Sequence, residues 1–134
     1  MALPTLSTPT YELTVPSTKK KIKYRPFLVK EEKVLLLALE SEDDKEIANA
    51  MKGLIKACVL TKGIDPDELA TFDVEYIFLN IRGKSIGEDI DVKMVCPDDG
   101  TTEITTKIPI DKIKVRFTKG HTNQIQISDD LWVE

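Results

Sequence analysis

Side chains that carry most catalytic and metal chemistry are scarce in this sequence. His121 is the only histidine, and Cys58 and Cys96 are the only cysteines. Catalysis by a Ser-His-Asp or Cys-His arrangement would have to use His121, and no nucleophile is apparent beside it. Cys96 opens a Cys-Pro-Asp-Asp-Gly segment that outlines half a zinc knuckle, but one thiolate cannot replace the four ligands of a structural zinc site. We therefore predict a protein that is not an enzyme, with no catalytic, cofactor-binding or metal-binding residues.

Excess positive charge and long apolar runs are also missing. The 134 residues include 19 basic and 23 acidic side chains, a net charge of −4, which disfavours broad binding to nucleic acid or to a membrane surface. No run approaches the roughly 20 apolar residues that cross a bilayer. The N terminus lacks the pattern of a secretion signal, and the cysteines suggest no disulfide framework. We predict assembly in a reducing cytosol and protein partners, with no nucleic acid, membrane or small-molecule substrate.

The pattern along the chain predicts an α+β fold of about one domain's length. Residues 1–9 carry prolines and hydroxyl side chains typical of an extended arm. Residues 10–87 are predicted to form an N-terminal β-hairpin, a central helical hairpin and a third helix. Residues 88–134 are predicted to form antiparallel strands, either within the same domain or as a small appendage.

The apolar run at residues 34–39 is the predicted centre of the core. Apolar alternation before Pro26 gives way to helical spacing after it, so the first helix is expected to begin just beyond this proline. Because that helix is apolar on all sides along residues 34–39, we expect other elements to cover it.

Two further helices and a short one are predicted before residue 88. Asp43 and Glu46 form a capping-box-like start for a second helix, which carries an apolar stripe over residues 47–59 and a predicted cap at Gly63. Cys58 lies on this stripe and is predicted to be a core residue. A short helix is predicted over residues 65–70, and an aromatic third helix follows it.

The last third of the chain has the alternation of β-strands. Strong turn chemistry at residues 97–100 separates two runs of alternating apolar residues and predicts a hairpin. Third and fourth strands are predicted at residues 113–117 and 125–127. Trp132 lies close to Glu134, so we expect either that this indole docks on the fold or on a partner, or that the natural chain continues further.

Contact with partner proteins is predicted at three places. These are the N-terminal arm, the basic hairpin, and the apolar end of the chain. The predicted contact residues are Leu3, Pro4, Lys19, Lys20, Lys21, Lys23, Arg25, Leu131, Trp132 and Val133. The basic residues have a second interpretation, as a solvated edge strand that lysines protect from aggregation. The first interpretation makes the hairpin a patch for an acidic protein surface or a phosphate.

Gly83-Lys84-Ser85 resembles the end of a phosphate-binding loop. The earlier glycine of that motif is missing, and the segment follows a predicted helix rather than a strand. Nucleotide binding is therefore only a remote alternative.

Several phrases of the sequence resemble a known family in their order and spacing. They are LP at residues 3–4, TPTY at 8–11, LTVPST at 13–18, KYRPFLVKEEK at 23–33, FDVEYIFL at 72–79 and RGKSIG at 82–87. Together they resemble the baseplate hub subunits of contractile-tailed bacteriophages of the T4 type. The resemblance covers most of residues 1–96, with RPFLVKEEK as its most specific part, and weakens after Cys96, where a cysteine pair expected in some relatives is incomplete.

The resemblance implies a structural protein of the virion tail baseplate, assembled in the host cytoplasm. Its implied partners are other baseplate hub or tail proteins, and members are expected to be longer than this chain. An alternative from the same resemblance is a transient hub assembly factor, or chaperone, that does not stay in the mature virion.

Overall fold

A computed structural model of the protein, in which residues 7–133 are described, has the mixed α+β architecture that the sequence predicts. Six residues of the predicted arm, with the candidate contacts Leu3 and Pro4, lie outside the described part. The elements in chain order are β1 (Tyr11–Thr14), β2 (Lys21–Tyr24), α1 (Val29–Glu40), α2 (Asp44–Cys58), α3 (Thr71–Ser85), β3 (Asp89–Val95), β4 (Glu103–Pro109), a 3-10 helix (Ile110–Lys112), β5 (Ile125–Ser128) and β6 (Leu131–Val133). The strands pair as three antiparallel two-stranded sheets, β1 with β2, β3 with β4, and β5 with β6.

The N-terminal hairpin buries one face, as its alternation predicts. Ile22 and Tyr24 are buried, whereas Lys21 and Lys23 between them are exposed. The outer edge of β2 pairs through backbone hydrogen bonds with the end of α2 and the segment that follows it. There Arg25 N–H donates to the Cys58 carbonyl over 3.0 Å, and Leu60 N–H donates to the Lys23 carbonyl over 2.8 Å. These bonds attach the hairpin to the end of α2.

The core lies between the hairpin, α2 and α3. Its buried members are Val15, Ile22, Tyr24, Phe27, Leu54, Ile55, Cys58, Val74, Ile77 and Ile81. The hairpin supplies one wall, while Leu54, Ile55 and Cys58 come from α2. The prediction that Cys58 is a core residue is confirmed, and burial raises the pKa of its thiol to about 11.

The prediction that residues 34–39 form the centre of the core is wrong. Ala38 is the buried residue of α1, whereas Leu37 is 66% exposed and Val34 is 55% exposed. The helix surrounded by other elements is α3, in which Ile77 and Ile81 are fully buried. The physical reason is that the buried part of the α2 stripe, Leu54, Ile55 and Cys58, packs with the hairpin and α3. Helix α1 lies beside α2, and much of its own surface is left uncovered.

The connections around α2 are partly as predicted. The Asp43 carboxylate caps α2 by accepting from Lys45 N–H over 2.8 Å. The helix ends at Cys58, so the predicted cap at Gly63 is wrong, and this glycine takes its φ of 80° in the following turn. The short helix predicted over residues 65–70 is also wrong. Glu68 N–H donates to the Asp65 carbonyl in an isolated turn there.

The C-terminal part contains the predicted hairpin, but the predicted third strand is wrong. Residues 113–118 form no strand, and the 3-10 helix precedes them. This helix attaches the C-terminal part to α3, because Ile110 is buried beside Gly83 and its N–H donates to the Glu88 carbonyl over 2.8 Å. The fourth predicted strand is β5, which pairs with β6 through a register irregularity between Gln126 and Ser128.

Substitutions on α1 and α3 should distinguish the buried helix from the exposed one. Ile77→Ala should lower the free energy of unfolding by about 2–5 kcal/mol, because it opens a cavity in the core. Leu37→Ala removes a similar side chain from the surface and should change it by roughly 0.5 kcal/mol or less. Urea denaturation followed by circular dichroism measures both values. A larger loss for Leu37→Ala than for Ile77→Ala would contradict this assignment of the core.

Candidate protein interface

The lysines of the predicted basic patch are exposed, but two of them already have neighbours. Lys19 Nζ lies 4.9 Å from the centre of the Phe117 ring, and Lys23 Nζ lies 3.8 Å from a Glu12 carboxylate oxygen. Lys20 and Lys21 are exposed at the end of the hairpin. Since exposed ion pairs contribute little to stability, all four lysines stay candidates for contact with an acidic surface.

Arg25 points inward rather than onto the outer face of the hairpin. Its Nη2 donates to a Glu31 carboxylate oxygen over 2.8 Å, and its Nη1 donates to the Pro26 carbonyl over 2.9 Å. The other Glu31 oxygen accepts from Leu28 N–H over 2.7 Å at the start of α1. The most specific phrase of the resemblance, residues 25–33, therefore contains an internal support for the turn from β2 into α1.

The Gly-Lys-Ser sequence lies inside α3, and each of its residues has a structural contact. A Cβ atom on Gly83 would lie 3.1 Å from Ile110 Cδ1, so the glycine permits the close approach of the C-terminal part. Lys84 pairs with Glu88, and Ser85 Oγ accepts from Phe27 N–H over 3.0 Å. The resemblance to a phosphate-binding loop therefore has a structural explanation in helix packing.

A buried carboxylate that sequence reasoning missed connects α3 to the hairpin turn. Asp73 is fully buried in the first turn of α3. Ser17 donates to it twice, from its N–H over 3.1 Å and from its hydroxyl group. The positive end of the helix also favours the carboxylate at this position. The only sequence signal is that Ser17 and Asp73 both lie in phrases shared with the resembled family.

An apolar groove of about 330 Å³ runs between the three helices. Each helix contributes residues spaced three or four apart, which is the spacing of one helix face. The lining residues are Glu32, Leu35, Leu36 and Leu39 of α1, Ile47 and Met51 of α2, Phe78 and Arg82 of α3, Ile86 just after α3, and Phe27. Arg82 Nη1 is buried there and has no hydrogen-bond partner among the described residues. Sequence reasoning did not find this groove, because the run at residues 34–39 was assigned to the core.

Apolar side chains are also uncovered on the C-terminal sheets. Met94 pairs with Ile104 and Ile90 pairs with Ile108 across β3 and β4, which places them on one face of that sheet. Leu131, Trp132 and Val133 form β6 and are exposed, with Trp132 57% exposed. The predicted contact at the apolar end of the chain is thus available to a partner.

The side chains that could bind a metal ion are not clustered in the described part of the chain. Within residues 7–133 no group of three or more His, Cys, Asp or Glu side chains could hold a metal ion. Asp99, at the place of the second knuckle cysteine, accepts from the N–H groups of Thr101 and Thr102 over 3.0 Å each. Together with the Thr102 hydroxyl, these donors lower the pKa of Asp99 to about 2. None of the helices in the described part is long and apolar enough to cross a membrane.

Comparison with known proteins identifies a family. Residues 8–134 match a family model described as T4 bacteriophage base plate protein. No curated protein and no solved structure matches the chain.

The buried Asp73 carboxylate should make Ser17 important for stability. Ser17→Ala removes the hydroxyl donor and leaves a buried carboxylate oxygen without it, so the free energy of unfolding should fall by about 1–3 kcal/mol. Thr18→Ala, at the exposed neighbouring position, should change it by roughly 0.5 kcal/mol or less. Urea denaturation measures both. Equal effects would show that the Ser17–Asp73 contact does not stabilise the fold.

Stability should depend on pH through Glu31. Burial raises the pKa of Glu31, but hydrogen bonds from Arg25 and Leu28 and the charge of Arg25 outweigh it, so the pKa lies below its ordinary value of 4.5. This contribution is present above pH 4.5 and disappears as the pH falls through the lowered pKa. Glu31→Gln should therefore cost about 1–2 kcal/mol at neutral pH and progressively less in acid.

Urea midpoints measured at pH 7 and at about pH 3 would test this dependence. Glu12→Gln is the matched control, because Glu12 has an exposed side chain and its nearest cation, Lys23, lies 3.8 Å away. This control should change stability little at either pH. A constant cost of Glu31→Gln from neutral pH into acid would exclude the proposed role of the Arg25–Glu31 pair.

Proposed function

Because the chain belongs to the T4 bacteriophage base plate protein family, we propose that it is a structural subunit of the baseplate's central hub. A baseplate protein is part of the virion tail, and its partners are other phage tail proteins. The finer proposal is that this chain assembles in the host cytoplasm with other hub proteins and acts through protein contacts rather than catalysis.

The observation that carries the proposal is the amount of apolar surface that the described fold leaves uncovered. Val34, Leu36, Leu37 and Leu39 are about half exposed or more, all on α1. Monomeric proteins rarely expose large continuous apolar patches, and such patches usually mark sites of protein contact. A subunit that is covered by its neighbours after assembly accounts for this surface.

The C-terminal sheets support the same proposal. A two-stranded sheet is marginally stable in water unless another element covers its apolar face. The face of β3 and β4 that carries Met94 and Ile104 is exposed, and so are the apolar residues of β5 and β6. A neighbouring protein could cover these faces or add a strand to their edges.

A transient hub assembly factor is the second candidate. The same exposed apolar surface on α1 would suit binding to a partial hub, followed by release. The two candidates differ in whether the chain remains in the finished particle.

Quantitative mass spectrometry of purified tails, beside lysate of the infected cells, should separate the two candidates. We expect a fixed number of copies per tail that matches the symmetry of the hub, since a structural subunit occupies defined positions. A tail protein of known copy number in the same sample provides the calibration. Abundance in the lysate together with absence from tails would refute the structural role and favour the assembly factor.

A further inference from the structure

We propose that the groove between α1, α2 and α3 binds an amphipathic helix of another tail protein, and that a carboxylate on this helix pairs with Arg82. This inference rests on the proposed function, because it names the chemistry of one contact that a baseplate subunit makes. The proposed partner segment is an amphipathic helix whose apolar face carries an acidic residue near its centre.

The arrangement of the lining residues suits a helix. Leu35 and Leu39 of α1 lie one turn apart, as do Ile47 and Met51 of α2, and Phe78 and Arg82 of α3. Three helices thus direct one face each into a common groove. An added helix with apolar residues at the same spacing would cover all three faces, as in recognition of a helix by a hydrophobic groove. The twelve residues of α1 give this wall a length of about 18 Å, which is enough for about three turns.

The acidic residue that we propose on the partner helix follows from the position of Arg82 in the groove. Arg82 lines the groove, and its Nη1 is buried without an acceptor in the described part of the chain. A buried donor of a charged group that lacks its partner is unfavourable, and a carboxylate supplies both an acceptor and the opposite charge. Glu32 also lines the groove, but neither of its carboxylate oxygens is a buried atom without a partner in the described part of the chain. The buried group that still needs a partner is the Arg82 guanidinium, so the partner helix should supply a negative charge.

A second copy of this chain is a poorer occupant. The exposed positions of α2 include Asp44, Lys45 and Lys56, so this helix has no second apolar stripe to offer. The outer residues Val34 and Leu37 of α1 are accompanied by exposed Lys30 and Lys33, with Lys33 near the centre of that face, and its acidic residue Glu40 lies at the end of the helix. The central lysine would approach Arg82, which is unfavourable.

Site-specific photo-crosslinking in assembled tails would identify the occupant. The photoreactive residue p-benzoylphenylalanine would replace Leu36 or Ile86, which line the groove and are 53% and 59% exposed. Leu37, which is on the same helix but does not line the groove, is the control position. We expect both groove positions to capture the same segment of another tail protein, with apolar residues three or four apart and a central Asp or Glu. The control position should not capture that segment.

Charge reversal would then test the ion pair. Arg82→Glu should lower capture of this segment at least tenfold, and changing the captured acid to Lys should restore it. Arg82→Met is the folding control. It removes the unpaired donor, so the Tm of the isolated chain should stay the same or rise, while capture should still fall.

If the chain is present in tails, any of four results would overturn the inference. They are the absence of any capture from the groove positions, capture of another copy of this chain, capture of a segment without an acidic residue, and failure of the charge reversal to restore capture. Absence of the chain from tails is a different result, because it would refute the proposed function itself.

Discussion

The packing of α3 against the hairpin and α2 is the contact on which the rest of the core depends. Ile77 and Ile81 bury one side of α3 in the core, and Asp73 holds the hairpin turn through Ser17. At the other end of the same helix, Ser85 accepts from the backbone ahead of α1, and Gly83 admits Ile110 of the C-terminal part. Because α3 contacts the hairpin turn, the segment before α1, and the 3-10 helix, it takes the central position that α1 lacks.

Much of the fold could be predicted from the sequence because it follows from local patterns. The alternation of apolar and polar residues predicted both early strands and the β3–β4 hairpin. The helical spacing of apolar residues in α2 predicted its buried face, which includes Cys58. The positions of turns followed from the chemistry of Asp43 and of residues 97–100. These features depend on neighbours a few residues apart, which a single sequence displays directly.

The errors arose where the outcome depended on which elements pack together. Residues 34–39 have the composition of a buried helix, yet the hairpin and α3 form the core with Leu54, Ile55 and Cys58 of α2, and α1 lies outside it. The predicted strand at residues 113–117 lacked a partner for the same kind of reason. The groove could not be found in advance, because its walls come from three helices that are far apart in the chain. Amino-acid composition alone does not distinguish a helix buried in the core from a helix whose apolar surface the fold leaves uncovered.

The same surplus of apolar surface bears on the choice between a permanent subunit and a transient factor. Exposed leucines on α1 and the unpaired Arg82 donor raise the free energy of the isolated chain. A partner that stays bound removes this cost for the life of the particle. A partner that leaves restores the cost at each release, so the two roles differ in how long the surface stays covered and not in the kind of surface that binds. The uncovered apolar surface on α1 and on both C-terminal sheets is therefore stabilised by any partner that covers it, whether or not that partner stays bound.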